Sequence, residues 1–571
     1  MLGVTPPLSD APSSSHDIKL LDSLITVLKE QNAFELPEKT RLRESVLNIL
    51  DELTKQLVYQ ISCDNGRSPT EASRVNSKVL TYGSYRLGVH AEDADIDTLC
   101  VLPRDITRDH FFERMYLALK EQSGVESLNA VEDAYVPVIK FKFHSIPIDL
   151  ICTILPLSTI PEDLNVNNPF LLKHMDQRCI RSLNGTRVAD ELLSLVPDVD
   201  TFRLSLRCIK LWATKRAIYS NIIGFLGGVA WAILVARVCQ LYPKACASTI
   251  VSKFFRIISN WNWPSPVLLK TVEEGSPLDK LKPWNPRLSM NDREHKMPII
   301  TPSFPSMCAS HNVTQSTMKI IIGEMKLAAD IVDKVMIGST SWDQLFTENV
   351  FFRRYGHYIQ VVVSSDIHES LIQGAGLVES RLRQLLTKLE SSPYIALVHP
   401  FIDGIEDKRR CTNRKDVREF IGATKPRNST DDLEPFEQTI YTKTFYIGLY
   451  TRTEISSTSP SVSIDLTMEM NSFKYGLQHH PSFDKEHTRI NLRYLNRSNL
   501  PQELISTGSA TMKRAYQETE IPDVTSSSSN INGKNSDHGN NNKKHRTLSN
   551  INDLSSSTLP DMNKTLPLPS T

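Results

Sequence analysis

The sequence predicts an α+β chain with a strand-rich first region, a helical middle region and a mixed α/β third region. Three patterns indicate this class. In the first region apolar residues alternate with polar ones around two acidic motifs, and in the second they recur at helical spacing. In the third region predicted strands are separated by a predicted helix. The Pro- and Ser-rich start and the Ser- and Asn-rich end predict disorder. A length of 571 residues is typical of about three or four domains. The predicted segments are 1–16, 17–196, 197–346, 347–500 and 501–571.

Composition restricts where nucleic acid and metal can bind. The chain carries 65 basic and 65 acidic residues, so its formal net charge is zero and any affinity for nucleic acid has to be local. Nine cysteines include no CxxC pair, which is typical of reduced thiols in a nuclear or cytosolic protein. No basic segment followed by an apolar core opens the chain, so we expect no secretory signal.

One uncharged stretch, residues 217–236, has the length of a membrane span. Asn221 and three glycines interrupt it, so we expect a loop followed by a shorter apolar helix in the core. We therefore expect no association with a membrane.

The first region begins with an amphipathic helix, predicted over residues 38–61 from apolar residues at helical spacing. Gly83 and Ser84 then fit a tight turn that opens a helix. The free amides of such a helix would hold a triphosphate.

Three carboxylates follow this turn. Asp95 and Asp97 alternate along a predicted strand, so both project to the same side with Cα atoms about 7 Å apart. Asp149 lies in the apolar run 146–151, where an unpaired charge is unfavourable and requires a positive partner. Mg²⁺ binds a few carboxylates and substrate phosphates, and two such ions about 3.5–4 Å apart hold the attacking and leaving oxygens in phosphoryl transfer. The pattern therefore predicts a two-metal site.

Two basic patterns each allow two interpretations. The predicted strand 138–143 places Lys140 and Lys142 on one face, directed either to RNA or triphosphate or to solvent. In the helical region, Arg203, Arg207 and Lys210 fall at i, i+4 and i+7 and share one helix face. Spacing alone favours a solvated face for these three residues.

The third region alternates strands with a helix. We predict a helix at 377–389 and strands at 357–363, 395–398, 444–450 and 488–495, which together indicate an α/β sandwich. The sequence has no RNP1-like aromatic signature, so binding through basic loops or to proteins is favoured over base stacking.

The order Gly-Ser, Asp-x-Asp and a distant Asp in an apolar strand resembles the nucleotidyltransferase superfamily of DNA polymerase β. Further segments narrow the resemblance to the eukaryotic nuclear poly(A) polymerases, over about residues 17–500. They are TYGSYRLGVH at 81–90, NIIGFLGGVAW at 221–231, REHKMPIITP at 293–302 and GLVES at 376–380. The resemblance implies a polymerase β-like nucleotidyltransferase palm, a helical central domain and an RNA-recognition-like third domain.

The same resemblance implies roles for individual residues. Asp95, Asp97 and Asp149 would hold two Mg²⁺ or Mn²⁺ ions, while Lys210 and Tyr219 match phosphate contacts. The full set implied in binding ATP is Tyr82, Gly83, Ser84, Lys210, Tyr219, Asn221, Gly228 and Val229. This chain departs from the family at Glu92-Asp93, just before the Asp-x-Asp strand, where the family usually has a glycine. These two acids are expected to raise the negative potential beside the metals.

The implied activity is template-independent addition of AMP from ATP to the 3′ end of RNA, as in mRNA polyadenylation. A terminal uridylyltransferase shares the carboxylates, but the motifs between 293 and 314 and the third domain argue against it. A catalytically silent RNA-binding subunit would not need all three carboxylates. Expected partners are the pre-mRNA 3′ end and subunits of the cleavage and polyadenylation complex, outside which we expect a monomer. A nuclear location is expected, and the run KKHR at 543–546 is compatible with import.

Overall fold

The structure is a computed structural model that describes residues 3–132, 134, 136–273, 282–422, 437–452 and 464–506. The predicted disordered tail lies outside the described residues from 507 onward, and so does the KKHR run. The short helix α17 at Gln502–Ser506 falls within the segment predicted as disordered, and its Leu504 and Ile505 pack against the core.

The first region combines one mixed sheet with helices. The helices are α1 Ser15–Glu30, α2 Pro37–Asp64, α3 Pro69–Ala72, α4 Gly83–Leu87, α5 Arg108–His110, α6 Tyr116–Lys120 and α7 Gln177–Leu195, with a π-helical turn at Phe111–Met115 and a 3₁₀ turn at Pro169–His174. The strands are β1 Lys78–Thr81, β2 Ile96–Leu102, β3 Val125–Val131, β4 Val138–Phe143 and β5 Ile146–Ile154. The amphipathic helix predicted at 38–61 is confirmed as α2, which buries Val46, Leu50 and Leu57 against the sheet.

Sheet register sets the chemistry of this region. The strand order is β1-β2-β5-β4-β3, and only β2 and β5 among these neighbours run parallel. Asp97 lies opposite Asp149 across the β2–β5 pair, and Asp149 lies opposite Lys140 across β5–β4. Residues opposite each other in a sheet project to the same face. One row of the sheet therefore carries two acids and a base.

The second region is helical, as predicted. Its helices are α8 Val199–Lys215, α9 Gly228–Leu241, α10 Ala247–Ser259, α11 Met290–Arg293 and α12 Gln315–Met336, followed by a 3₁₀ turn at Trp342–Phe346. The uncharged stretch is a loop up to Gly227 and then the buried helix α9, which confirms the predicted division. Within the described part of the chain, no helix has the length and apolar character to cross a membrane.

The start of the chain differs from the disorder predicted for 1–16. The Leu8 amide donates to the Leu241 carbonyl at 2.8 Å, and the Cys246 amide donates to Ser13 Oγ at 2.7 Å. Ser14 caps α1, which buries Leu24 and Leu28 in the core of the helical region. The partners in these bonds lie more than 200 positions away along the chain. The composition of residues 1–16 gives no information about such partners, so it predicted disorder.

The third region is an α/β sandwich. Its helices are α13 Phe351–Arg354, α14 His368–Glu390, α15 Arg414–Phe420, α16 Thr467–Gln478 and α17, with a 3₁₀ turn at Arg497–Asn499. Its strands are β6 His357–Ser365, β7 Ile395–Pro400, β8 Ile405–Cys411, β9 Gln438–Thr451 and β10 Thr488–Asn496. The order is β10-β6-β9-β7, with β8 paired to β9. The predicted helix and strands are confirmed, each within a longer element.

Aromatic side chains cover one face of this sheet. Helix α14 packs on the face that carries Val363. On the opposite face, the Phe352 ring lies 5.2 Å from the Tyr446 ring and the Tyr355 ring lies 4.9 Å from the Tyr450 ring. Bases therefore cannot stack where these rings pack. Binding of RNA through basic loops rather than by base stacking stays a prediction.

Candidate active site

Three carboxylates meet at one end of the first sheet. Asp97 on β2 and Asp149 on β5 lie opposite each other on parallel strands, and Asp95 comes just before β2. One oxygen of each carboxylate lies within 4.8 Å of the other two. The side chains predicted to share a site are thus together. Alternation along the chain places Asp95 beside Asp97, and strand register adds Asp149.

The cluster carries negative charge that its surroundings do not balance. Burial, and then the charges of Asp95 and Asp149, raise the pKa of Asp97 to about 7 against the opposing effect of Lys140 and Lys210. Burial, and then the same three carboxylates, raise the pKa of the Tyr82 phenol. Opposed carboxylates of this kind favour a bound cation. A donor set of carboxylate oxygens suits a hard divalent ion.

Lys140 is the basic residue of the same sheet row. Its ammonium forms an ion pair with the Asp149 carboxylate, although 52% of the lysine side chain is exposed. Of the two interpretations of the Lys140–Lys142 face, the one that directs Lys140 to the site agrees with this contact. Both lysines are exposed, and the alternating burial of β4 confirms the predicted strand.

The turn at Gly83 places the chain directly against the carboxylates. Gly83 has φ +63°, and a Cβ at this position would collide with the Asp97 carboxylate, so only glycine fits. The Tyr82 amide donates to the Asp97 carbonyl at 3.0 Å, which ties the turn to β2. Ser84 is in the first turn of α4, and its carbonyl accepts from the Val89 amide at 2.9 Å. The predicted turn opening a helix is confirmed.

A loop of the helical region lies near enough to the carboxylates to sense their charge. Burial and the charges of Asp95 and Asp97 raise the pKa of Tyr219 to about 12, so its phenol stays protonated at neutral pH. A Cβ on Gly228 would lie 2.6 Å from the Tyr219 hydroxyl. Glycine at the start of α9 therefore makes room for this side chain.

Asn221 and Val229 belong to the same loop and helix start. Oδ1 of Asn221 is buried and has no partner among the described residues, whereas its backbone carbonyl accepts from Asn312 Nδ2 at 3.0 Å. Buried polar atoms usually have hydrogen-bond partners. Val229 exposes 37% of its surface in the first turn of α9. An unpartnered acceptor in this loop and an exposed apolar side chain at the start of α9 suit a ring with polar edges.

The solvated-face interpretation is wrong for Arg207 and Lys210, which are held against the protein, whereas Arg203 exposes 38% of its side chain. All three donate to backbone carbonyls of residues 87–90, at the end of α4 and just after it, and Lys210 Nζ reaches the Val89 carbonyl at 3.1 Å. Burial lowers the pKa of Lys210 to about 8, with Arg207 acting in the same direction and Asp95 and Asp97 against it. The spacing of these three residues predicted that they share one face of the helix. It could not predict what that face contacts.

Two basic residues near the site belong to no sequence motif and were not predicted. Lys39 of α2 lies 3.2 Å from Glu92 and 3.5 Å from Asp93, so its charge partly offsets these two acids. Arg43, one turn further along α2, contacts the backbone beside Asp95. Both residues lie about 50 positions from their partners, so local sequence gives no signal for the contacts.

Three family models together match nearly all of residues 3–514. They describe the poly(A) polymerase nucleotidyltransferase domain at residues 3–196, the poly(A) polymerase central domain at 201–348 and the poly(A) polymerase predicted RNA binding domain at 350–514. The predicted α+β class and the order of its three regions are thereby confirmed.

Two curated relatives show the same family. Poly(A) polymerase pla1 of Schizosaccharomyces pombe is 41% identical over 549 residues, which are 90% of this chain and 96% of that protein. Poly(A) polymerase PAPa of Candida albicans is 46% identical over 420 residues, covering 73% and 75% of the two chains. The solved Cid1 RNA terminal uridylyl transferase is 16% identical over 59% of this chain and 99% of its own, with a TM-score of 0.39. The chain therefore belongs to the poly(A) polymerase family of nucleotidyltransferases.

Proposed function

We propose that this protein is a template-independent polynucleotide adenylyltransferase that transfers AMP from ATP to the 3′ end of RNA. The observation that carries the proposal is the meeting of Asp95, Asp97 and Asp149 between the Gly83 turn and the Tyr219 loop. This arrangement offers carboxylates for cations and, on two sides, polar groups for a nucleotide.

The three carboxylates fit a pair of divalent cations, because their oxygens converge, and burial together with their mutual repulsion raises the pKa of Asp97 to about 7. When bound, such ions make the RNA 3′-hydroxyl a better nucleophile and neutralise charge on the leaving pyrophosphate. The family implies a divalent metal and a nucleotide substrate. We propose Mg²⁺ or Mn²⁺, two ions per site.

Residues of both regions take part in holding ATP. Lys210 and Tyr219 are proposed to bind the triphosphate, the lysine as a cation and the tyrosine as a neutral donor. Gly83 and Ser84 hold the phosphates from the other side, and Tyr82 fixes the turn through its bond to Asp97. Gly228 leaves room for Tyr219, and Val229 contacts the nucleoside.

Asn221 is proposed to select adenine. A carboxamide both accepts and donates, and adenine presents a donor and an acceptor side by side. Its unpartnered Oδ1 would accept from the adenine amino group. In this role Asn221 would discriminate ATP from the other nucleotides.

Since the proposed ATP ligands come from two regions, binding would require the regions to close on each other. In this structure Lys210 donates to the Val89 carbonyl. Its ammonium therefore has to exchange that backbone partner for a phosphate when ATP binds. Lys140, paired with Asp149, would likewise be released toward phosphate when cations neutralise the acid.

We also propose that the protein acts on pre-mRNA in the nucleus, as a monomer that associates with cleavage and polyadenylation subunits. Support comes from membership of the poly(A) polymerase family and from relatives in two eukaryotes. Both relatives are named poly(A) polymerases, which supports transfer of adenylate rather than uridylate. The presence of all three carboxylates argues against a catalytically silent subunit.

The proposal is tested by incubating the pure full-length chain with an unstructured RNA primer, Mg²⁺ and one nucleoside triphosphate at a time. Extension with ATP alone is expected. The Asn221→Ala variant should lose preference for ATP while still extending primers, because the carboxylates remain. Extension of the primer by UTP in preference to ATP would favour a uridylyltransferase and refute the proposal.

A further inference from the structure

The segment between α4 and Asp95 is held by its backbone carbonyls. Arg203, Arg207 and Lys210 of α8 donate to the carbonyls of residues 87–90, as described above. The remaining part, residues 91–94, leads directly into Asp95. This carboxylate precedes β2, so the hydrogen bonds of the sheet do not fix it as they fix Asp97 and Asp149.

Arg43 of α2 supplies the missing support. Its Nη2 atom donates to the Glu92 carbonyl at 3.1 Å and to the Ala94 carbonyl at 2.6 Å. Only 1% of the arginine is exposed, and the second acceptor belongs to the residue next to Asp95. Two bonds from one planar guanidinium fix both the position and the tilt of this part of the backbone.

Glu35 in turn fixes Arg43. The Arg43 Nε atom lies 2.5 Å from the Glu35 carboxylate, of which 4% is exposed. Glu35 also accepts from Thr40 at 2.9 Å and contacts His90 Nε2 at 3.0 Å. Burial raises the pKa of Glu35, but hydrogen bonds with His90, Arg43 and Thr40 outweigh burial and leave it lowered. An ionised partner that is itself held by Thr40 and His90 leaves the guanidinium little freedom to turn.

Lys39 lies one helical turn before Arg43 and pairs with Glu92 and Asp93. The same helix therefore contacts this segment through side chains at Lys39 and through the backbone at Arg43. Helix α2 buries its apolar face against the sheet that carries Asp97 and Asp149. The contacts thus fix Asp95 relative to the other two carboxylates.

We propose that Arg43 is a positioning residue that sets the orientation of Asp95 and so the affinity of the carboxylate cluster for divalent cations. The inference rests on the proposed function, since it assumes that the cluster binds such cations. In this role Arg43 is not a ligand of the cations. It acts through the Ala94 carbonyl.

The test compares Mn²⁺ binding to full-length protein, without nucleotide, in the wild type and the Arg43→Lys variant by electron paramagnetic resonance. Lysine keeps the charge but cannot donate to Glu35 and both carbonyls with the geometry of a guanidinium. Mn²⁺ affinity should fall about tenfold, in the range for groups that orient metal ligands. The Mg²⁺ concentration for half-maximal primer extension should rise in parallel, and excess Mg²⁺ should restore most of the turnover.

Arg237→Lys is the matched control. Arg237 is also buried and bonded, to Gln240 and Thr5, but it lies in α9 away from the segment before Asp95. Its substitution should leave Mn²⁺ affinity unchanged. A general loss of packing would instead affect both variants alike.

Asp95→Asn separates the two proposals. If this variant binds Mn²⁺ like the wild type, the proposed metal site itself fails. If it loses Mn²⁺ while folded Arg43→Lys binds normally, the function stands and the positioning role of Arg43 is overturned. Should Arg43→Lys fail to fold, the isosteric Glu35→Gln variant replaces it. A smaller loss of Mn²⁺ affinity is then expected, and an unchanged affinity would overturn the inference.

Discussion

Replacing Asp97 by asparagine should make the metal-free protein more stable and inactive at the same time. The side chain keeps its size but loses the charge that Asp95 and Asp149 repel. The pKa of Asp97 is raised from 3.8 to about 7, mainly by burial and then by these two acids. Unfolding frees the carboxylate from both effects, so ionised Asp97 opposes folding.

The size of the gain follows from the shift. About three pKa units correspond to ~4 kcal/mol at about 1.36 kcal/mol per unit. Partial exposure and relaxation of the neighbouring acids reduce this, and we expect about 2 kcal/mol. The folded state binds the proton more tightly, so wild-type stability falls as pH rises from about 4 to 7. The variant should lack that fall, with an advantage that is absent near pH 4 and complete above pH 7.

Urea unfolding in EDTA at pH 4.5 and pH 8, followed by fluorescence, measures the difference. Asp51→Asn is the matched control, since Asp51 pairs with Lys55 at 2.8 Å and accepts from the Val79 amide at 2.9 Å. That substitution removes an attractive charge, so it should not stabilise the protein at pH 8. Primer extension by Asp97→Asn should fall by about three orders of magnitude. Equal stability of Asp97→Asn and wild type at pH 8 would show that the ionised carboxylate does not oppose folding. Extension within about tenfold of wild type would show that catalysis does not depend on this carboxylate.

Three further perturbations test neighbouring parts of the site. Gly83→Ala places a Cβ against Asp97 at a φ that alanine disfavours, so turnover should fall about a hundredfold; Gly323→Ala in α12, where a Cβ meets open space, should leave it unchanged. The kcat/KM for ATP should fall as pH rises through about 8, where free Lys210 loses its proton, and Lys210→Arg should remove that decline. The double change Glu92→Gly, Asp93→Gly should alter the Mg²⁺ and ATP titrations little, because Lys39 already offsets these acids and Arg43 holds the backbone; a large drop in the ATP requirement would show that the acids repel the triphosphate.

Local patterns were sufficient to predict the carboxylates and the turn beside them. Alternation placed Asp95 and Asp97 on one side, and the apolar run around Asp149 indicated a buried strand. The pairing of Asp97 with Asp149 depends on β2 and β5 being parallel neighbours. Alternation within one strand cannot supply that information.

Contacts between distant segments account for the differences. Residues 3–14 look disordered by composition, yet bonds to Leu241 and Cys246 hold them. The face shared by Arg203, Arg207 and Lys210 was predicted, but not the carbonyls that it meets. Arg43 is one arginine among many in the sequence, and its role depends on where α2 packs. Such side chains become recognisable only when the fold brings their partners to them.

The proposed metal site is tested most directly by locating the bound divalent cations. A crystal of the full-length protein soaked with Mn²⁺ and a non-hydrolysable ATP analogue should show two anomalous-scattering peaks about 3.5–4 Å apart. Both should lie among the carboxylate oxygens of Asp95, Asp97 and Asp149, with the triphosphate reaching Lys210 and Tyr219. Mn²⁺ bound elsewhere, or an occupied nucleotide site without Mn²⁺ at these three carboxylates, would show that the three carboxylates are not the metal site.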